Sequence, residues 1–342
     1  MQFGLFTLFD FFPDRQNEST YYRDTLELMV YAERLGFDSV WIGEEHFYTF
    51  GICPSPQLFL TALARETRRL RLGTAISLLP FENPLRKAED FAMLDILSGG
   101  RLDFGVGRGG IPKHFEGFRV SYQESRARYE EALEIIERAW TQERFSYEGQ
   151  FWQVPELSLS PRPLQKPRPP VYRSISSPEA YEIAGAKGHG ALFVPWLNPN
   201  LKRGLENYRA ASRAHGHSAV PSVFIYFLFI DQDYHQALAE AREVTGRYTE
   251  LILRTIPQAL VEKLPLGESL KSLWERLSSM AAHLEERAIV GTPRDCRRRI
   301  AELREELSIE HIAFYLHAGA RDVSRARQGL ELFAKEVMPE FQ

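Results

Sequence analysis

The 342-residue sequence predicts an α/β fold, namely a (β/α)8 TIM barrel. Eight short apolar segments alternate along the chain with segments in which apolar residues recur at helical spacing. The clearest strand candidate, Val40 to Ile42, is apolar throughout, as expected for a parallel strand that is buried on both faces. The length also suits one such barrel, so we expect a single domain over residues 1–342.

The first half of the chain contains four of the eight predicted strands. These strands cover residues 2–8, 38–43, 70–79 and 102–106. The helices predicted beside them cover residues 21–35, 57–68, 84–97 and 122–140. Gly36 is expected to end the first helix as a C-cap. Asn83 and Pro84 are typical of a helix start, as N-cap and first helical residue.

The second half repeats the alternation. Its predicted strands cover residues 171–174, 191–194, 222–230 and 311–316. Its predicted helices cover residues 178–187, 199–214, 234–253, 293–307 and 323–337. Thr292 and Pro293 indicate the start of the fourth of these helices.

Two stretches interrupt the alternation. Residues 145–170 combine short β-like pieces around residues 147–154 with a proline-rich tract, and we interpret them as an insertion after the fourth helix. Residues 256–286 form a long connection before the last strand. Connections of this length are usually lids or disordered segments, and we expect a lid over the mouth of the barrel.

Composition excludes several classes of protein. The formal net charge is -4 and the pI is near 6.2, with Lys and Arg scattered along the chain, which argues against a nucleic-acid-binding protein. No apolar run is long enough to span a bilayer, and no secretory signal is recognisable, so we expect a cytoplasmic protein. Cys53 and Cys296 have no partner at metal-ligand spacing and the nine histidines do not cluster, so no metal site is expected.

Candidate catalytic residues follow the second strand. The loops after the strands form the functional face of such a barrel, and here the strand ends in Glu44, Glu45 and His46. Glu45 and His46 are candidates for acid–base chemistry, because a histidine titrates near neutrality and a neighbouring carboxylate can hold its orientation. The alternative is that they are simply the solvated start of a loop.

Candidate anion-binding residues follow the fourth and fifth strands. Arg108 lies among glycines, whose bare backbone would let a phosphate approach. Ser176 and Ser177 precede a helix whose N-terminus has free N–H groups and a positive dipole. Arg108 could instead be a surface charge and Ser177 an ordinary N-cap. The glycine pattern at residues 105–109 is not a dinucleotide-binding motif, because Ile111 and Pro112 separate it from any helix.

Aromatic residues near strand ends have two possible roles. Phe6, Trp41 and Trp196 could line a flat pocket at the barrel mouth. Aromatic residues in such positions more often belong to the core.

Several segments of the chain together form a specific pattern. They are residues 1–6 (MQFGLF), 36–41 (GFDSVW), 44–47 (EEHF), 72–75 (LGTA), 83–90 (NPLRKAED), 98–105 (SGGRLDFG) and 290–293 (VGTP). This pattern resembles the bacterial luciferase-like family of flavin-dependent monooxygenases, and the resemblance covers nearly the whole chain. The combination of residues 86–90 with the glycine-rich run at 99–109 is its most specific part.

The resemblance implies a barrel that binds reduced FMN at its C-terminal face, with the FMN supplied by a separate NAD(P)H-dependent flavin reductase. In this family O2 adds to the flavin to give a C4a-peroxide, which oxidises a second substrate. The positions that hold the phosphate correspond to Arg108 and to Ser176 with Ser177. A cis peptide beneath the flavin ring corresponds to the bond between Ala75 and Ile76, and Phe6 and Trp196 are further candidates for cofactor contacts.

Three positions depart from the luciferases. Glu45 stands where they have the first of two histidines, the proposed catalytic base, and only His46 is kept. Gly107 replaces a reactive cysteine and Ser176 replaces an acidic residue. These changes do not support light emission, but they are compatible with an oxygenase in which Glu45 or His46 is the base.

The sequence therefore predicts an FMNH2-dependent monooxygenase that acts on a small or medium apolar molecule, such as an aldehyde, a ketone or a biosynthetic intermediate. Relatives pair through the second and third helices, so a homodimer is expected. Two alternatives stay open: a deazaflavin-dependent dehydrogenase, and a flavin-binding partner subunit without turnover.

Overall fold

The structure, a computed structural model, describes most of the chain. The described residues are 1–175, 177–195, 198, 200–218, 222–255, 275, 284–316 and 318–342. Most of the expected lid segment, residues 256–274 and 276–283, lies outside the described residues.

Eight parallel strands close into a barrel, which confirms the predicted fold class. The strands of the structure are β1 (Gln2–Thr7), β2 (Ser39–Ile42), β3 (Arg71–Thr74), β4 (Ser77–Leu78), β5 (Leu102–Gly107), β6 (Phe145–Glu148), β7 (Gln153–Leu157), β8 (Val171–Ser174), β9 (Gly190–Phe193), β10 (Val223–Ile230), β11 (Ala288–Gly291) and β12 (His311–Tyr315). The order around the barrel is β1, β2, β3, β5, β8, β9, β10 and β12, and β12 pairs again with β1. The carboxyl ends of these strands therefore meet on one face.

Helices alternate with the barrel strands, as the sequence predicts. They are α1 (Glu18–Leu35), α2 (Pro56–Glu66), α3 (Pro84–Ser98), α4 (Pro112–Phe118), α5 (Ser125–Thr141), α6 (Pro178–Ala186), α7 (Leu201–Ala214), α8 (Tyr234–Thr255), α9 (Leu284–Arg287), α10 (Pro293–Leu307) and α11 (Val323–Glu336). Gly36 is a left-handed C-cap with φ 98°, Asn83 is an N-cap, and Thr292 forms a capping box with Asp295. In the described part of the chain, no helix combines the length and apolarity needed to cross a membrane.

The third predicted strand, residues 70–79, is divided in the structure. The bond between Ala75 and Ile76 is cis, as expected from the family resemblance. β3 and β4 lie on either side of this bond, and both pair with β5. The continuous strand predicted from the apolar run was therefore wrong at its centre, where residues 75 and 76 leave the ladder.

Two short elements escaped the sequence analysis. Helix α4 has only seven residues, too few to show a helical repeat. Strand β11 has four residues and pairs with the second half of β10, where Phe227 faces Ala288.

Within residues 145–170, β6 and β7 form an antiparallel hairpin beside α5. The Glu131 carboxylate on α5 accepts hydrogen bonds from backbone N–H groups of this hairpin.

Aromatic side chains fill the barrel interior. Phe6 packs edge to face with Tyr315 at a centroid distance of 4.8 Å, and Trp41 packs in the same manner with Tyr172 at 5.0 Å. A Cβ at Gly73 would lie 2.2 Å from the Trp41 ring, so glycine is required for the indole to fit. All four rings are buried. The interior is therefore a packed core beneath the face formed by the strand ends.

Candidate active site

A cavity of about 380 Å³ lies at the carboxyl ends of β2, β4, β5 and β8. Its walls come from the loops after these strands and from α4, α5 and α6. They include Leu8, Gly43, Glu44, Glu45, Ala75, Ile76, Leu78, Gly107, Arg108, Gly109, Gly110, Ile111, His114, Tyr122, Arg126, Tyr129, Glu130, Arg173, Ser174, Ser177, Ala180 and Ile183. The cavity thus occupies the functional face that a barrel of this kind offers.

Five of the nine residues that the sequence predicts to be catalytic or cofactor-binding line this cavity. They are Glu45, Ala75, Ile76, Arg108 and Ser177. His46 is not part of the wall, but its ring contacts Glu44, and Glu44 is a wall residue. Phe6 lies in the packed interior of the barrel and not in the wall. Ser176 and Trp196 lie outside the described residues.

Glu44 is the centre of a buried hydrogen-bond network. One carboxylate oxygen accepts from the Ser77 hydroxyl at 2.8 Å, from the Leu78 backbone N–H at 3.1 Å and from Lys87 Nζ at 2.7 Å. The other oxygen is 3.1 Å from His46 Nε2. Burial raises the pKa of Glu44, but the Lys87 ammonium and the hydrogen bond from His46 outweigh burial and hold the pKa at about 2. Glu44 is therefore ionised throughout the neutral range.

Lys87 is the cation that keeps Glu44 charged. Its side chain is only 1% exposed, and Nζ also lies 2.8 Å from the Glu82 carboxylate. Burial lowers the pKa of Lys87, but the two carboxylates raise it above its usual value. The sequence analysis includes Lys87 only as part of the segment 83–90 that resembles the family. It does not predict the ion pair with Glu44.

Glu45 belongs to a second cluster on the same loop. The Tyr48 hydroxyl donates to Glu45 Oε2 at 3.1 Å, and His114 Nε2 lies 3.2 Å from the same oxygen. The backbone N–H of His46 donates to His114 Nε2 at 3.2 Å. Burial, with the Glu45 carboxylate, raises the pKa of Tyr48 far above its usual range, so its hydroxyl stays protonated.

Two arginines of the wall form no ion pair within the described part of the chain. Arg108 donates to the Tyr122 hydroxyl at 2.9 Å, and neither Arg108 nor Arg126 forms an ion pair with any residue that the structure describes. β5 and β8 are neighbours, with Val106 opposite Arg173, so Arg108 and the start of α6 follow adjacent strand ends. Arginine side chains and a helix N-terminus together favour an anion.

Arg173 differs from these two arginines because its charge is compensated. Its guanidinium group binds the Glu130 carboxylate at 2.7 and 2.9 Å, and its Nε donates to His189 Nδ1 at 2.9 Å. Sequence reasoning missed this residue, although a charged residue inside a short buried strand is an unusual feature.

Glycines keep part of the wall free of side chains. A Cβ at Gly107 would lie 2.0 Å from Ile76 Cδ1, so Ile76 can occupy its place only because residue 107 is a glycine. A Cβ at Gly110 would meet no atom within 4 Å. The backbone after β5 is therefore accessible from the cavity.

Three wall residues that the sequence analysis did not select come from one segment. His114 lies on α4, Tyr122 lies between α4 and α5, and Arg126 is at the start of α5. Pro112 at the first position of α4 was the available signal, because proline is typical there. The expectation that Ile111 and Pro112 separate the glycines at residues 105–109 from any helix was therefore wrong, because α4 begins at Pro112.

Known proteins resemble this chain over its whole length. The family model for luciferase-like monooxygenases matches residues 1–311. The oxygenase component of flavin-dependent trigonelline monooxygenase from Acinetobacter baylyi is 26% identical over 358 residues, which cover 100% of this chain and 96% of that protein. The crystal structure of monooxygenase RslO1 from Streptomyces bottropensis is similar with a TM-score of 0.85 and 30% identity, covering 100% of both chains. The oxygenating constituent of 3,6-diketocamphane monooxygenase from Pseudomonas putida, in complex with FMN, shares the fold with a TM-score of 0.80 and 22% identity, covering 100% of this chain and 99% of that one.

Proposed function

Since the chain belongs to the luciferase-like monooxygenase family, we propose that it is the oxygenase component of a two-component system. It binds reduced FMN from a separate NAD(P)H-dependent flavin reductase and uses O2 to oxidise a small or medium organic molecule. The observation that carries this proposal is the wall of the cavity, which brings Arg108 and Arg126 together with Ser177 at the start of α6. Neither arginine forms an ion pair with a residue that the structure describes.

The residues of the cavity fit the phosphate of FMN. Arg108 supplies guanidinium donors and has no carboxylate in contact with it among the described residues, and Arg126 supplies further donors near the exposed Glu179. Ser177 is the N-cap of α6, and its hydroxyl makes no hydrogen bond to the helix backbone. The Ser177 hydroxyl and the Glu179 backbone N–H face the exposed Glu179 carboxylate, and they can donate to phosphate oxygens once that side chain turns aside.

The flavin ring, at the other end of FMN from the phosphate, requires a flat surface. Ala75 and Ile76 form the cavity wall between β3 and β4, and Gly107 lets Ile76 lie close to β5. We assign the flavin ring to this surface. A larger side chain at position 107 would displace Ile76 and would narrow the space available for the ring.

Reduced FMN, when bound, supplies the electrons that activate O2. The chain supplies side chains that hold and transfer protons, and a cavity that separates the flavin from bulk water. Glu44 stays ionised because of Lys87 and orients the His46 ring. Glu45 accepts a hydrogen bond from the Tyr48 hydroxyl and is itself in the wall, so Glu45 is the proposed acid–base residue. His46 lies outside the wall and would act through its contact with Glu44.

Anaerobic titration with reduced flavins tests this assignment. Reduced FMN should bind more tightly than reduced riboflavin, which lacks the phosphate, and more tightly than reduced deazaflavin cofactor F420. A preference for F420 would support the dehydrogenase alternative and would overturn the proposal. Equal binding of FMN and riboflavin would show that the arginines do not contact the phosphate.

A homodimer through α2 and α3 is part of the proposal. Large apolar side chains on these two helices are exposed to solvent in the single chain, although such residues usually prefer burial. They are Leu58, Met93, Ile96 and Leu97. A second copy of the chain would cover them.

The double variant Leu58→Glu/Met93→Glu should be monomeric, because it places two charges in the proposed interface. Leu58 is 71% exposed and Met93 is 49% exposed, so neither substitution should affect the folding of the single chain. Sedimentation velocity gives the mass of each species. Leu164→Glu is the matched control, since Leu164 is 54% exposed and lies outside both helices. A double variant with the same mass as the parent protein would exclude this interface.

A further inference from the structure

Two residues of opposite charge lie one turn apart on α5 without forming an ion pair. Arg126 and Glu130 both line the cavity and are four positions apart, a spacing that brings side chains on a helix within reach of each other. An arginine followed four positions later by a glutamate does pair on α11, where Arg327 lies 3.4 Å from Glu331. In the described part of the chain Arg126 has no such partner, because Glu130 is bound elsewhere.

Arg173 occupies both oxygens of the Glu130 carboxylate. Its Nη1 donates to Oε1 at 2.7 Å, and its Nη2 donates to Oε2 at 2.9 Å. A bidentate pair of this kind is stronger and more directional than a single contact between two flexible side chains. The Arg173 side chain is 5% exposed and that of Glu130 is 37% exposed. Glu130 is therefore the partner that could turn toward another cation if it were released.

The guanidinium group of Arg173 is held in place by its neighbours. Its Nε donates to His189 Nδ1 at 2.9 Å, and its Cζ lies 5.3 Å from the centre of the Tyr129 ring. His189 Nε2 is in turn 2.9 Å from the Glu137 carboxylate. Burial lowers the pKa of His189, so the ring is neutral near pH 7, accepting at Nδ1 and donating from Nε2. The position of Arg173 is thus fixed before any ligand binds.

We propose that Arg173 is a positioning residue for the cofactor site: by binding both oxygens of Glu130, it prevents an ion pair between Glu130 and Arg126 and keeps Arg126 available for the phosphate of FMN. The inference rests on the proposed function, to which it adds a residue that does not itself contact the phosphate. A carboxylate paired with Arg126 would both neutralise the guanidinium group and repel the phosphate. Glu179 also lies near Arg126, but it is exposed on the first turn of α6 and can turn toward water.

The test compares reduced FMN with reduced riboflavin, which lacks the phosphate, in anaerobic titrations. Arg173→Met removes the guanidinium group, keeps an unbranched side chain and releases Glu130. Arg173→Met/Glu130→Gln also removes the charge that could pair with Arg126. Arg321→Met is the matched control, because Arg321 is also 5% exposed and binds both oxygens of one carboxylate, that of Glu240, at 2.9 and 3.0 Å. Arg321 lies outside the cavity wall.

Arg173→Met should bind reduced FMN about tenfold more weakly than the parent protein, as the loss of one charge-assisted hydrogen bond implies, and should bind riboflavin equally well. The double variant should regain the affinity of the parent protein for FMN, since no carboxylate is left to compete. Glu130→Gln alone and Arg321→Met should keep the ratio of FMN to riboflavin affinity of the parent protein. Arg173→Lys replaces Arg173→Met if that variant does not fold. Its ammonium group binds only one oxygen of Glu130 at a time, so its FMN affinity should fall about threefold and recover when Glu130→Gln is added.

Unchanged FMN affinity in Arg173→Met, or in Arg173→Lys where the first variant does not fold, would overturn the proposal. Weaker FMN binding in Glu130→Gln alone would also overturn it. A double variant that does not regain affinity would assign Arg173 a direct contact with the phosphate instead. An equal loss for FMN and riboflavin, or the same loss in Arg321→Met, would show general damage to the site. Equal binding of FMN and riboflavin by the parent protein would contradict the phosphate site of the proposed function, whatever the variants show.

Discussion

Replacing Arg108 with alanine should weaken the binding of reduced FMN by about 10- to 100-fold, which is the value of one or two charge-assisted hydrogen bonds. The guanidinium group of Arg108 has no carboxylate partner in the described part of the chain and donates only to the Tyr122 hydroxyl. Its removal therefore leaves no buried acid without a partner, and the fold should be unaffected. Anaerobic titration followed by flavin fluorescence or absorbance gives the two dissociation constants.

Reduced riboflavin separates a phosphate contact from general damage to the site. Its affinity should be nearly the same in Arg108→Ala and in the parent protein, because it lacks the phosphate. Arg144→Ala is the control for the loss of one positive charge, since Arg144 lies just before β6 and both it and its ion-pair partner Glu156 are exposed. An equal loss of affinity for FMN and riboflavin would mean that Arg108 shapes the ring pocket and does not bind the phosphate.

The variant Lys87→Met should lower the free energy of unfolding by about 3–5 kcal/mol, the usual cost of leaving one member of a buried ion pair alone. Lys87 is 1% exposed, and its ammonium group neutralises Glu44 at 2.7 Å. Urea unfolding followed by circular dichroism measures the change. The double variant Lys87→Met/Glu44→Gln should recover much of the loss, because it no longer buries an unpaired charge.

The dependence of stability on pH should change in Lys87→Met. In the parent protein the pKa of Glu44 is lowered from 4.5 to about 2, so its contribution is present above pH 4.5 and is lost as the pH falls toward 2. Without Lys87, burial raises the pKa of Glu44. The variant should then lose stability as the pH rises above 4.5. A variant as stable as the parent at neutral pH would show that Glu44 does not depend on Lys87.

The sequence predicted the barrel well because hydrophobic periodicity and helix caps are local signals. The segment at residues 171–174 and the helix at residues 293–307 have the predicted bounds. Short elements such as α4 and β11 were missed because a few residues show no period. The division between β3 and β4 was not predicted, since nothing in a run of apolar residues marks a change of backbone direction. Only the cis bond between Ala75 and Ile76 was expected, and that from the family resemblance.

The candidate site was only partly predictable. Glu45 and Arg108 could be predicted as site residues because they lie in loops after strands, and the topology alone places the carboxyl ends of the strands on one face. His114 and Lys87 come from helices far along the chain, and their partners on the loop after β2 depend on how those helices pack. Such pairings over about 40 to 70 residues leave no periodic signal in one sequence.

The most direct test of the proposed function is the rate at which flavin bound to the protein is reoxidised by O2. Protein loaded anaerobically with reduced FMN is mixed with oxygenated buffer in a stopped-flow spectrometer, and the return of the oxidised flavin spectrum is recorded. We expect bound flavin to consume O2 but to regain its oxidised spectrum much more slowly than free FMN, because the cavity holds and shields the product of the oxygen reaction. Reoxidation at the rate of free FMN would contradict an oxygenase. Bound flavin that stays reduced in the presence of O2 would contradict it equally and would favour a dehydrogenase.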